Sequence, residues 1–276
     1  MLRISNRELD LDEDPREPAE LRKEIEPWLS AVFQSEHLSL LVGNGLTTAI
    51  SARSDGGAVD MTSPGFDAEH AEAVTKRAEQ LAEGAGRGSP NIEDCVRAAL
   101  QLIAGLEVLE DAASRVWKDE VSAALGRFAA SVLVAERSIA TAIETESATG
   151  LSARDDLVSF LLSFASRAAS RDRLNIFTTN YDRLIEYGCD LVGLRPIDRF
   201  VGGLAPRFRA SRLEIDMHYN PPGIRGEPRY LEGVVRLAKL HGSIDWRYEY
   251  GQIRRVALPL GPRRRNRPSR PRRTNR

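Results

Sequence analysis

Leu38-Ser39-Leu40-Leu41-Val42-Gly43-Asn44-Gly45-Leu46-Thr47-Thr48-Ala49-Ile50 decides the fold class. The first five residues are an apolar run of the right length for one buried strand. Gly43 ends the run, and the residues after it turn the chain into a helix. A strand delivered through a glycine-rich turn into a helix is the opening unit of an α/β sheet. Two later strings follow apolar runs in the same way. Thr178-Thr179-Asn180-Tyr181-Asp182 comes after Leu174-Asn175-Ile176-Phe177, and Lys239-Leu240-His241-Gly242-Ser243 comes after a run that begins at Val234. A glycine turn, an Asn/Asp pair and a His-Gly pair at successive strand ends are expected to converge on one crevice. That is where an open α/β sheet binds its ligand.

Between the first string and the second the pattern is helical. Residues 53–66 and 84–90 read as loops, and a helix is expected over 67–83. Asn91-Ile92-Glu93-Asp94 opens a long helical region, with Asn91 as its cap and acids in the first turn. Apolar spacing continues through Leu102, Leu106, Leu109, Val116, Val121, Leu125, Phe128 and Val132 to about Glu146. Ser152 with Asp155 resembles a capping box ahead of Leu157, Phe160, Leu161 and Phe164. Residues 67–170 therefore read as a helical insertion between the first and second strands of a mostly parallel sheet. Upstream, residues 1–16 read as charged and frayed. A helix starts at Pro18, and Pro27 is expected to kink it or begin a second segment, which makes 1–36 an N-terminal helical segment. Downstream come a helix over 183–191, short strands over 213–219 and 234–240, and a hairpin of 246–250 with 253–258 around Gly251.

Bulk composition fits this plan. The chain has 276 residues, 42% hydrophobic and 29% charged, enough for one large α/β domain with an insertion. Its apolar runs fall short of a membrane span, and Met1-Leu2-Arg3-Ile4-Ser5-Asn6-Arg7-Glu8 has no apolar signal core, so a cytoplasmic location with no membrane association is expected. Cys95 and Cys189 are the only cysteines, which rules out a four-cysteine zinc site and predicts two buried thiols. The net charge of −1 hides an asymmetry: ten arginines and no acid follow Gln252, leaving 29 basic against 40 acidic residues over 1–251. Residues 261–276 have almost no apolar content and read as a disordered Arg/Pro-rich tail. The tail is either a nucleic-acid-binding arm or an accidental ending, from a truncated or frameshifted gene.

Each string has two chemical readings. Gly43-Asn44-Gly45-Leu46 lets backbone N–H groups approach a phosphate at a helix start, or is a tight turn with no ligand. The third glycine of GxGxxG and a ribose-binding acid about 20 residues on are missing, so a dehydrogenase site is not supported, and without a GK[ST] the string is not a P-loop. Thr179, Asn180 and Asp182 suit ribose hydroxyls and an ordered water, or cap a helix. His241 is a reactive group beside Gly242 and Ser243, or a hydrogen-bonded structural histidine. His218 is a second candidate, while His37 and His70 are expected at the surface. The side chains of Asn180 and His241, at strand ends, are expected to reach the crevice rather than the core.

The ordered triplet GNGL, TTNYD and KLHGS resembles the sirtuin-like (SIR2) superfamily, in particular the SIR2-like NAD-hydrolysing domains of bacterial anti-phage defence systems. Asn91-Ile92-Glu93-Asp94 is also similar to a segment of those proteins, and the resemblance covers about residues 38–250. It implies a Rossmann-like NAD-binding domain over 37–260. Gly43, Asn44, Gly45, Leu46, Thr179, Gly242 and Ser243 would bind NAD+ as substrate. Asn180 would hold the ribose or the attacking water, Asp182 would fix the loop and ribose contacts, and His241 would act near the ribose hydroxyls as base or orienting group. Deacetylating sirtuins usually carry a four-cysteine zinc module. Its absence here implies no zinc and favours hydrolysis of the nicotinamide–ribose bond over deacylation. The resemblance also implies later sheet strands, where this sequence turns to arginine and proline after Leu260, so a truncated, weakly active form is expected. Partners implied are a separately encoded or fused ATPase, nuclease or Argonaute-like protein, or further copies of the chain. The alternatives are an NAD-dependent deacylase or ADP-ribosyl transferase, and a non-catalytic module that binds NAD or ADP-ribose.

Overall fold

The structure, a computed structural model, describes residues 2–4, 7–9, 17–57, 61–62, 64–167, 171–211, 215–220 and 229–260. The expected tail, 261–276, lies outside the described residues. Compactness divides the chain into two units, one of residues 1–44 with 154–257 and one of residues 45–153 with 258–276.

The first unit begins with β1 (Leu2–Ile4) and β2 (Arg7–Leu9), a small antiparallel pair where fraying was expected. Helix α1 (Pro18–Phe33) follows. Pro18 sits in its first turn, where a missing N–H costs nothing, and Pro27 is accommodated inside one continuous helix. Next come β3 (Ser39–Val42) and the start of α2 (Asn44–Arg53). The second unit holds most of α2, then α3 (Ala71–Gly84), α4 (Ile92–Val108) and α5 (Ala113–Glu144). Helix α6 (Ala148–Ala165) returns the chain to the first unit, which continues with β4 (Leu174–Thr178), α7 (Leu184–Val192), β5 (Arg195–Ile197), β6 (Phe200–Val201) and β7 (Arg207–Phe208). It closes with β8 (His218–Tyr219), β9 (Arg229–Tyr230), β10 (Val234–Lys239), β11 (Trp246–Glu249) and β12 (Gln252–Arg255). The chain is thus mixed α/β, and every element between β3 and β4 among the described residues is a helix.

The main sheet is wholly parallel in the order β3-β4-β10-β5. Val42, Thr178 and Lys239 stand in register at its C-terminal end, so the three sequence strings leave neighbouring strands side by side. One face carries Val42, Leu174, Ile176, Thr178, Val235 and Leu237, all buried. The other face is open at the same end: Leu41 is 70% exposed and its neighbour Phe177 is 37% exposed. The expectation of a fully buried first strand is corrected here. Strand β3 is an edge strand with one uncovered face, and an apolar run alone does not distinguish the two cases.

A second, antiparallel sheet in the order β11-β12-β7-β6 belongs to the same unit. The hairpin of β11 and β12 turns at Tyr250-Gly251 as expected, but both strands end earlier than the sequence implied. Trp246, Phe200 and Phe208 meet edge-on and tilted, with ring centroids 5.0–5.6 Å apart. Of the short strand expected over 213–219, only β8 is found, and residues 212–214 lie outside the described residues.

In the second unit, α3, α4 and α5 enclose a core of Val74, Ala78, Cys95, Ala99, Ile103, Trp117 and Val121. The Trp117 indole donates to the Glu69 carbonyl at 2.9 Å, so its one polar atom is satisfied. Helix α4 opens on the expected cap. Asn91 Oδ1 accepts from the N–H groups of Glu93 (2.9 Å) and Asp94 (3.1 Å), and the Asp94 carboxylate accepts from the Asn91 N–H. The box expected at Ser152 and Asp155 is not the start of α6, which begins four residues earlier, at Ala148. There the Ser147 hydroxyl accepts from the Gly150 N–H at 3.0 Å. Gly150 lies so close to α5 that a Cβ on it would overlap the Ala142 carbonyl.

Candidate functional site

Three hydrogen bonds tie the C-terminal ends of β3, β4 and β10 into one rim. The Thr179 N–H donates to the Val42 carbonyl at 3.3 Å, and the Leu240 N–H donates to the Thr178 carbonyl at 2.8 Å. Asn180 then links the second string to the first, its Nδ2 donating to the Gly43 carbonyl at 3.1 Å. Thr178 is fully buried and its hydroxyl accepts from the Asn180 N–H at 3.0 Å, which bends the chain sharply off the strand. Gly43 and Asn44 are exposed in the turn above, with Asn44 the first residue of α2. Gly45 and Leu46 form the first turn of that helix and are counted with the second unit.

Asp182 has a structural task that is visible in its contacts. It is buried, and its carboxylate accepts from the Leu184 N–H at 3.0 Å, in the turn that leads into α7. Its carbonyl accepts from Lys239 Nζ, and Lys239 also pairs with the Glu186 carboxylate at 3.1 Å. Burial pushes the Glu186 carboxyl above its ordinary range, and the Lys239 charge opposes that rise. Lys239, the last residue of β10, is therefore a buried cation that staples β10 to α7. It stands in the KLHGS string, but its position at the end of an apolar run is the only sequence signal for that role.

His241 is exposed, with its ring 6.1 Å from that of Tyr181. Tyr181 also fixes the loop beyond the histidine. Its carbonyl accepts from the Ile244 N–H at 3.0 Å and from the Ser243 hydroxyl at 3.3 Å. Gly242 has φ of +90°, a conformation that favours glycine, and a Cβ there would touch the Trp246 ring at 3.7 Å. The histidine thus sits on a rigid corner joining the two sheets. A cavity of about 450 Å³ opens beside it, lined by Lys239, His241, Gly242, Phe208, Trp246 and Arg255 among others.

The structure brings together Gly43, Asn44, Thr179, Asn180, Asp182, His241, Gly242 and Ser243 on adjoining strand ends. One expectation needs correction: the Asn180 side chain is buried, at 7% exposed, and held by backbone rather than projecting freely into a crevice. His218 belongs elsewhere. It follows Met217, whose carbonyl accepts from Arg173 at the opposite, N-terminal end of β4, and its ring faces Tyr230 at 4.4 Å. His37 is exposed and pairs with Asp172 at 2.5 Å, and His70 lies before α3 near Glu69. Among the described residues no group of three or more His, Cys, Asp or Glu could hold a metal ion, and no helix is long and apolar enough to cross a membrane. No protein-family model matches the chain, and no curated protein matches it in sequence.

Proposed function

We propose that this chain is an NAD+ glycohydrolase of SIR2-like type, a Rossmann-like domain with a helical insertion between its first two sheet strands. The observation that carries the reading is the register of Val42, Thr178 and Lys239, which sets the GNGL, TTNYD and KLHGS strings at the C-terminal ends of neighbouring parallel strands. Such strand ends are where open α/β sheets take nucleotide ligands. The glycine turn would lie along the pyrophosphate and nicotinamide side. Asn180 would hold that turn and the ribose-side water, and His241 would orient the ribose hydroxyls or act as base.

The chemistry asks little of the protein. The nicotinamide–ribose bond breaks through an oxocarbenium-like state, as in glycoside hydrolysis. Nicotinamide leaves as a neutral base, so no acid is needed to protonate it. What remains is to hold the ribose, place a water and stabilise developing positive charge, tasks for fixed polar groups. The role we assign is NAD depletion in anti-phage defence, in the cytoplasm, beside an ATPase, nuclease or Argonaute-like partner. The cavity beside His241 favours one second reading, transfer of ADP-ribose or an acyl group to another acceptor.

The test is nicotinamide release from NAD+ by the purified chain, with and without an acyl-lysine peptide and with and without chelator. Release that is independent of peptide and chelator is expected. Release only with peptide makes the chain a deacylase or transferase, NAD+ binding by calorimetry without release makes it a binding module, and neither binding nor release ends the NAD reading.

A further inference from the structure

The antiparallel sheet sets three arginines in one row. Arg247 stands opposite Arg254, and Arg254 stands opposite Arg207. Neighbouring strands lie about 4.8 Å apart, so the three side chains leave the same face within about 10 Å. Like charges directly opposite one another destabilise a sheet. Carboxylates do not relieve the row. Asp198 and Asp245 both turn to Arg255, on the other face, at 2.6 and 3.6 Å. Among the described residues none of the three arginines is ion-paired, and Arg254 Nε is buried without a hydrogen-bond partner. Glu249, two residues beyond Arg247 toward the tip, is the one acid of β11 and β12 on that face. The reverse face holds the Trp246, Phe200 and Phe208 rings.

The hairpin tip adds an independent peculiarity. Tyr250 and Gly251 both have positive φ, +51° and +74°, the signature of a two-residue type I′ turn. Asn, Asp and Gly favour that first position, and a tyrosine there is strained. Tyr250 is nonetheless 90% exposed, with the Arg254 guanidinium 5.7 Å from its ring centre. A strained backbone that displays a ring to water, beside a row of unpaired cations, points to a ligand with both phosphates and flat faces.

We propose that β7, β11 and β12 form a docking surface for single-stranded nucleic acid, with phosphates along Arg207, Arg254 and Arg247 and a base stacked on Tyr250. A row of arginines, Arg247 exposed and Arg207 and Arg254 half-buried, flanked by an exposed ring suits a flexible polyanion with π-faces, the combination by which proteins hold single strands without reading sequence. The surface is independent of the NAD reading and of residues 261–276.

The test uses the full chain and labelled oligouridylate and oligothymidylate, with anisotropy read across a salt series. The double variant Arg247→Gln/Arg254→Gln is expected to bind about tenfold or more weakly, with the salt slope reduced by about one per arginine. Its melting temperature should hold or rise, because like-charge repulsion is relieved. Tyr250→Asn places a residue the turn prefers, so it should fold at least as well and bind about fivefold or more weakly. Wild-type affinity in both variants overturns the proposal. So does photo-crosslinking confined to 261–276, or equal loss of heparin and oligonucleotide binding in the double variant with none in Tyr250→Asn, which would make the row a general polyanion patch.

Discussion

Asn180 and His241 end neighbouring strands but are held in opposite ways. Asn180 is buried and bonded to the Gly43 carbonyl, while His241 is exposed on a corner built by Tyr181 and Gly242. Their alanine variants should separate accordingly. Asn180→Ala should lose about 1 kcal/mol of stability, because it removes a part-buried hydrogen bond to the Gly43 carbonyl. It should also lose nicotinamide release. His241→Ala should lose about 100-fold in turnover, the usual effect of removing one positioned polar group, about 3 kcal/mol. Calorimetry beside a nicotinamide assay checks both. Full turnover in His241→Ala removes it from the site. Much of this pair was legible, because Asn and His after apolar runs must emerge at strand ends. That Asn180 is turned inward was not legible, since the same residue serves a ligand or a neighbouring carbonyl equally well.

At the scale of elements, legibility followed length. Strand β10 and helix α7 appear within a residue or two of where their apolar pattern put them, and Asn91 with Asp94 announced α4 by its own chemistry. Strands β5, β6 and β7 are three, two and two residues long, too short to show any period, and exist because β10, β7 and β12 respectively offer them a ladder. Pro27 misled because a proline inside a helix is a cost rather than a prohibition, and the apolar spacing on either side of it outweighs that cost. The turn from α5 into α6 carries a sharper test. Gly150 has no room for a side chain against the Ala142 carbonyl, and backbone cannot yield as a side chain does. Gly150→Ala should destabilise by about 2–3 kcal/mol, read as a shift in denaturant midpoint with unchanged slope. Gly126, with open space around it, is the control, and its alanine variant should be neutral or stabilising. A midpoint for Gly150→Ala equal to that of Gly126→Ala would show that the two helices are not packed this closely.

For the whole molecule, the apolar pattern anticipated a mixed α/β chain and the cysteine usage two interior thiols, and Cys95 and Cys189 are both buried with no disulfide between them. The division into residues 1–44 with 154–257 and residues 45–153 with 258–276 was not visible as a change in composition, because buried apolar residues are spread through both parts. The thiols make that division measurable. Cys95 lies in the core of α3, α4 and α5, and Cys189 lies on α7 beside the parallel sheet, where burial pushes its pKa up to about 12. A thiolate is the reactive form, so neither should be alkylated in native buffer at neutral pH except through local opening. Rapid native alkylation of either would contradict the burial described for it. Nature has thus left one latent reporter in each half. Peptide-resolved alkylation along a denaturant series gives each core its own opening curve, with no probe to introduce and no residue to change.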